Sequence, residues 1–176
     1  MPFSVSYFAS GGKDMPDMLV KLYDIAYNFN VELLARGITI KKACIIDKSK
    51  VLDFVRENFK NEAGWVHECE YALLSDPPSC YVAVRQKEII GFACCNATAK
   101  GFFGPMGVKE GCRKSGIGRE LLLRALYSMQ ENGYAYAIIG WPAHGAIDFY
   151  KKNVNAIEIE DSPPNKSIYK NLISSE

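Results

Sequence analysis

The residues best suited to chemistry lie in the string Val108-Lys109-Glu110-Gly111-Cys112-Arg113-Lys114-Ser115-Gly116-Ile117-Gly118-Arg119. An apolar strand runs into a basic turn with two closely spaced glycines, and an amphipathic helix opens there. Gly116 and Gly118 let backbone N–H groups approach a ligand where a Cβ would obstruct them. The helix adds its unpaired first-turn donors and the positive end of its dipole. Arg113, Lys114 and Arg119 set three positive charges around those donors. This combination suits the binding of a pyrophosphate. A P-loop would need Lys followed by Ser or Thr after its last glycine, whereas Gly118 is followed by Arg119 and Glu120. A dinucleotide turn would need a third glycine at Leu121 and an acid near the end of the next strand, where the chain reads Gly140-Trp141.

With 176 residues, 48% of them hydrophobic, the chain has the size and composition of one soluble globular domain. A net charge of +1 gives no global attraction to nucleic acid or to an anionic membrane, so the basic cluster is local. Residues 1–14 lack the charged and long apolar regions of a signal peptide, and no apolar run approaches the ~20 residues that span a bilayer. The expectation is a cytoplasmic protein with no membrane or nucleic-acid partner. The cysteines include no C-x-x-C pair, and only His67 and His144 are at hand for a zinc site, so neither disulfides nor a metal is expected. Cys44, Cys94 and Cys95 lie in apolar runs and read as small core residues in a reducing compartment.

These residues need a frame. Met18, Leu22, Ile25, Phe29 and Leu33 recur at helical spacing, which predicts an N-terminal helix from about Asp14 to Ala35, ended by Gly37. Ile38 to Ile46 reads as a strand. Asp47 then caps a helix with Val51, Phe54, Val55 and Phe59 on one face, and a second helix runs from about Glu62 to Leu74. Cys80 to Arg85 and Glu88 to Ala97, joined by Gln86-Lys87, form a hairpin, and Phe102 to Val108 is the fourth strand. Pro105 cannot donate to a ladder, so Gly104-Pro105 predicts a bulge or lost pairing at mid-strand. A helix from Ile117 to about Asn132 stops at Gly133. Tyr134 to Trp141 follows as the fifth strand, Ala146 to Asn153 as a short helix, and Ala156 to Glu160 and Ser167 to Leu172 as closing strands.

This order, over roughly residues 38–172, resembles the GCN5-related N-acetyltransferase (GNAT) superfamily. Arg113-x-x-Gly116-x-Gly118 has the form of that family's acetyl-CoA loop, (Q/R)-x-x-G-x-(G/A), and Ala146-Ile147-Asp148-Phe149-Tyr150-Lys151-Lys152 is similar to its A-x-x-F-Y-(E/K)-K segment. Two positions depart. Asn155 replaces a glycine that often closes the helix, a mild change because Asn tolerates the left-handed conformation. Ala143 replaces a frequent asparagine and removes a polar contact on the cofactor or substrate side. The resemblance divides the chain into an N-terminal helical extension over residues 1–36 and a GNAT acetyltransferase domain over residues 37–176. It implies an α/β (α+β) fold with a mixed, mostly antiparallel central sheet of about seven strands flanked by helices. A V-shaped splay between the fourth and fifth strands admits the acyl-CoA thioester. Acetyl-CoA is the implied cosubstrate, without a metal, held at Met106, Gly107, Val108, Arg113, Lys114, Ser115, Gly116, Ile117, Gly118 and Arg119.

The implied reaction is direct attack of a neutral primary amine, on a small molecule or a peptide, upon the acetyl thioester in a ternary complex. An amine of pKa ~10.4 is neutral in about one molecule in 2,500 at pH 7, a cost of about 4.6 kcal/mol to be met by desolvation, a base or a water relay. Protonating a departing thiolate of pKa ~8.5 is worth only about 2 kcal/mol at that pH. Tyr150 is the candidate acid, the role that the tyrosine of the matching segment has in many relatives. The base stays open among His144, Glu68 and Glu70, because the fourth strand has no Asp or Glu. Trp65 and Trp141 are candidates to line the amine pocket, with core packing the stronger reading for Trp65. The N-terminal helix is expected to pack on the domain and to cover that pocket or form part of a homodimer. The alternative function is a non-catalytic acyl-CoA-binding or sensor domain on the same fold.

Overall fold

Alternating apolar residues organise a single sheet in the computed structural model, which describes residues 15–171. Its strands are β1 (Met18–Lys21), β2 (Ile38–Lys42), β3 (Cys80–Arg85), β4 (Glu88–Cys95), β5 (Phe102–Val108), β6 (Tyr136–Ile139) and β7 (Ile157–Glu158). They lie in the order β2-β3-β4-β5-β6-β1-β7. Every pairing is antiparallel except β5–β6, which is parallel. The helices are α1 (Val31–Ala35), α2 (Lys48–Asn58), α3 (Ala63–Leu74), α4 (Ile117–Glu131) and α5 (Ile147–Val154). Strand β4 sorts its side chains between two cores. Ile90, Ala93 and Cys95 join α4 and α5, while Phe92 and Cys94 join Val51, Val55, Cys69 and Leu73 of α2 and α3. Residues 92–95 alternate with period two, and a bulge between Ile89 and Gly91 turns Ile90 to the α4 side, so helices cover both faces of the sheet, the mixed α/β arrangement expected. Gln86 and Lys87 both take positive φ, 51° and 68°, as a two-residue hairpin turn requires.

The interruption expected at Pro105 is present. Phe103 faces Cys95 and Met106 faces Ala93, so Gly104 and Pro105 together oppose Cys94 alone. Beyond this bulge β5 parts from β6, for the two pair only at Phe102–Ile138 and Phe103–Ile139. That divergence creates the opening on which the site depends.

The N-terminal helix is not formed over the described residues, and Asp14 lies outside them. Met18, Val20 and Leu22 are fully buried while Leu19 is half-buried and Lys21 exposed, the alternation of a strand. Positions 18, 22 and 25 fit a helix as well as 18, 20 and 22 fit a strand, and a short apolar run cannot arbitrate between the two. The free edge of β6 decides, by offering β1 a full set of backbone partners. Within the described part of that segment Val31–Ala35 is α-helical and Leu22–Asp24 makes a single 3₁₀ turn. The closing strand expected at Ser167–Leu172 is likewise absent: Ile168–Asn171 forms a 3₁₀ turn, and Leu172 lies outside the described residues. The seventh strand therefore comes from the N-terminal side of the chain. Strand β7 is shorter than the expected Ala156–Glu160. Cys44 is exposed, unlike buried Cys94 and Cys95. Among the described residues no helix is long and apolar enough to cross a membrane.

Candidate functional site

The loop between β5 and α4 is a set of unpaired donors. After Val108 a 3₁₀ turn over Glu110–Cys112 uses the amides of Cys112 and Arg113, which donate to Lys109 O and Glu110 O at 2.8 and 3.2 Å. From there to the first helical bond, Glu120 N to Gly116 O at 3.0 Å, the amides of residues 114–119 find no acceptor among the described residues. Lys114 at φ 58° and Gly116 at φ 87° turn the chain left-handed, which Gly116 does without steric cost. A Cβ at Gly118 would meet nothing nearer than Val108 Cγ2 at 3.7 Å and Phe149 Cζ at 3.8 Å, so the protein's own packing does not demand glycine there. Ile117 is buried in the core and offers only its backbone.

The charged side chains partly serve the loop itself. Arg113 Nε donates to Val108 O at 3.1 Å, and Arg119 Nη1 to Asn28 O at 2.9 Å. Both guanidiniums keep further donors, and Lys114 makes no ion pair among the described residues. Ser115 Oγ donates to Cys112 O at 2.5 Å and tightens the turn.

Strand β5 supplies a second set of donors. Lys109 N donates to Ile90 O at 2.9 Å, and the register pairs Val108 with Gly91 and Met106 with Ala93. Hydrogen-bonding direction alternates along an antiparallel pair. The amides of Met106 and Val108 therefore face away from β4, into the opening beside β6. The N–H of Gly107 faces β4 instead. Its role is steric: a Cβ there would lie 2.4 Å from Cζ of Phe59.

Tyr150 stands at the same opening. It lines a cavity of about 160 Å³ with Phe103, Gly104, Pro105, Met106 and Trp141. Its ring packs edge-on against Phe103 and Phe149, at 6.2 and 5.3 Å between centroids. The hydroxyl has no hydrogen-bond partner among the described residues. Burial pushes its pKa up, so it is protonated across the neutral range. Ala143 also lines this cavity, and Asn155 takes the left-handed conformation at φ 51°. Trp65 and Trp141 both face the cavity, and Trp65 also packs on Phe59 and Phe92 at 5.3 and 5.8 Å. Trp141 N–H donates to Asp17 Oδ1 at 2.9 Å, so Asp17 orients the cavity wall.

The three candidate bases separate clearly. His144 is exposed, with Nδ1 3.3 Å from Met15 Sδ. Glu70 is bound to Lys48 at 2.7 Å, which lowers its pKa and makes it a weak base. Glu68 accepts a short hydrogen bond at Oε1 from the hydroxyl of Thr98, and Thr98 lines the cavity. Its other oxygen is buried without a partner, and burial raises its pKa.

Sequence reasoning missed Thr98 and Glu62. Glu62, just ahead of α3, reads in the sequence as an ordinary helix-start acid. In the fold it is 2% exposed with both carboxylate oxygens unpartnered, and burial, then the charge of Glu68, raises its pKa from 4.5 to about 7. Folding therefore favours the protonated form. Below pH 4.5 the group is neutral in both folded and unfolded chains. Between 4.5 and 7 the unfolded chain gives up its proton first, and stability falls. Glu62→Gln is expected to remove this loss and stabilise the protein at pH 8, by on the order of 2 kcal/mol, with the gain shrinking toward zero near pH 4.5. Urea unfolding of both proteins at the two pH values measures it, and an equal effect at both would refute the assignment.

Residues 48–155 match the family model described as the acetyltransferase (GNAT) family. No curated protein sequence matches the chain. Among solved structures, the glucosamine N-acetyltransferase region of a fungal multi-domain beta-N-acetylglucosaminidase is similar over 82% of this chain and 19% of its own, at 15% identity and a TM-score of 0.65. A GCN5-related N-acetyltransferase from Sphaerobacter thermophilus is similar over 82% of this chain and 48% of its own, at 19% identity and a TM-score of 0.56. An aminoglycoside acetyltransferase from an uncultured soil metagenomic sample, in complex with sisomicin, is similar over 68% of this chain and 89% of its own, at 16% identity and a TM-score of 0.50. The chain thus spans about a fifth and about half of the first two proteins, and all three likenesses are of fold.

Proposed function

The chain belongs to the GNAT acetyltransferase family, and from that premise we propose that it transfers the acetyl group of acetyl-CoA to a primary amine of a small molecule or peptide, by direct attack in a ternary complex. The observation that carries this reading is the parting of β5 from β6 after Phe103, which opens a cavity lined by Met106 and Tyr150, with the donor-rich loop reached through Phe149, beside which Gly118 lies.

The pyrophosphate rests on the amides of residues 114–119, with Arg113, Lys114 and Arg119 as countercharge. The thioester enters the opening, where the amides of Met106 and Val108 receive the oxyanion as the carbonyl becomes tetrahedral. Before attack the ammonium passes one proton to the Thr98 hydroxyl, which hands its own to Glu68. The freed lone pair forms the C–N bond. As the C–S bond breaks, Tyr150 gives its proton to sulfur and takes the second proton that the nitrogen sheds. We place the reaction in the cytoplasm, a reducing compartment that suits six free thiols.

The test is thiol release from acetyl-CoA across a panel of primary amines, including aminoglycosides, on which a structural neighbour acts. Coenzyme binding without amine-dependent release would leave the acyl-CoA sensor reading in its place. With an acceptor in hand, Tyr150→Phe is expected to lower kcat by about 10- to 10⁴-fold. The lower end is favoured because thiol protonation is worth only about 2 kcal/mol at pH 7. CoA affinity should change far less, since the loop and not the phenol holds the phosphates. A wild-type kcat at every pH would reduce Tyr150 to a packing residue.

A further inference from the structure

Residues 28–36 lie outside the family-matched stretch, yet they are strapped across the loop and the first turns of α4. Asn28 O accepts from Arg119 Nη1 and Ser115 O from Arg36 Nη1, both at 2.9 Å. The Phe29 ring lies 3.7 Å from the Arg124 guanidinium. Asn30 is fixed from two directions. Its backbone N–H donates to Glu120 Oε2 at 2.7 Å, and its Oδ1 accepts from Glu32 N at 2.9 Å. Glu120 is itself buried and held by Arg124 at 2.9 Å. With Oδ1 committed, the carboxamide has one orientation, and its Nδ2 lies over Gly116, 3.2 Å from where a Cβ would stand. That nitrogen has two hydrogens and no acceptor among the described residues.

We propose that Asn30 is a ligand of the coenzyme diphosphate, reaching it from ahead of the family-matched region, and that Arg36 and Asn28 position the loop for this contact; the proposal rests on the reading of residues 114–119 as the CoA site. A pre-oriented donor beside an array of free amides adds a charge-assisted hydrogen bond to an anionic oxygen without reorganisation of the protein. The strap thereby becomes part of the coenzyme site and not merely a packing element on α4.

Asn30→Asp tests this directly. Aspartate caps a helix about as well as asparagine, so the bond to Glu32 N is retained, while the two donors become a charged oxygen facing the diphosphate. Calorimetric titration with CoA is expected to show affinity weakened by roughly 10- to 100-fold, with the melting temperature of the ligand-free protein unchanged. The deficit should narrow as salt rises and screens the repulsion. Asn30→Ser, which keeps a capping oxygen and introduces no charge, is expected to lose about 3- to 10-fold and covers the case in which the aspartate variant does not fold. Affinity within twofold of wild type in a folded variant overturns the proposal. A wild-type protein that binds no CoA overturns the acetyltransferase reading and this contact together.

Discussion

Gly118→Asp is expected to abolish CoA binding in a protein that remains folded. The Cβ of an aspartate there meets only ordinary contacts, Val108 Cγ2 at 3.7 Å and Phe149 Cζ at 3.8 Å, and the backbone of Gly118 is not left-handed. A carboxylate in the first turn of α4 also suits the helix dipole. The protein's own packing therefore does not oppose the change. The coenzyme does oppose it, because the side chain and its negative charge occupy the place of the diphosphate, and the affinity loss should reach about 100-fold or more, about 2.7 kcal/mol. Saturating CoA should raise the wild-type melting temperature by roughly 5–10 °C and leave the variant unmoved. An undiminished shift in Gly118→Asp would remove the loop from the coenzyme site, and with it the proposed function.

Glu68→Gln carries the second large effect. An ammonium must lose a proton before it can attack, and only the ionised form of Glu68 can take it. Burial raises the Glu68 pKa, so wild-type kcat/KM should rise with pH through that displaced value and level off above it. The glutamine cannot ionise. It is expected to flatten the rise and to lower kcat/KM on the plateau by about 10²- to 10⁴-fold, with CoA affinity unchanged. Thr98→Val should act in the same direction, since it removes the hydroxyl between the cavity and Glu68. An acceptor of low pKa, which arrives neutral, should be spared in both variants. A Glu68→Gln enzyme that keeps both its rate and its pH rise would transfer the role to another group, with Glu62, a buried carboxylate that feels the charge of Glu68, next in line.

The proposed coenzyme side was legible in the sequence because its chemistry is local. Arg113, Gly116 and Gly118 stand within six positions of one another, and a strand, a turn and a helix start suffice to place them; the fold forms that strand and that helix start at the positions the sequence predicts. The bulge at Pro105 was legible for the same reason, since a proline removes a backbone donor wherever the strand is placed. The acceptor side depends on distance in the chain. Glu68 and Thr98 are 30 residues apart and meet only because α3 packs over the end of β4. The burial that leaves Glu62 unpartnered is likewise a property of packing, invisible in a residue that precedes a helix.

The N-terminal segment marks the same limit in the backbone. Its apolar residues satisfy periods of two and of nearly four, so local sequence alone leaves Met18–Lys21 undecided. The open edge of β6 resolves it by pairing with each of those residues. Once β1 is placed there, Asp17 reaches the amide of Trp141 and the following residues cross α4 to bring Asn30 over Gly116. Sequence alone thus determined the chemistry that neighbours in the chain can perform, whereas tertiary structure decided which distant groups complete it, because an unpaired strand edge and a buried charge acquire their energetic weight only in the folded protein.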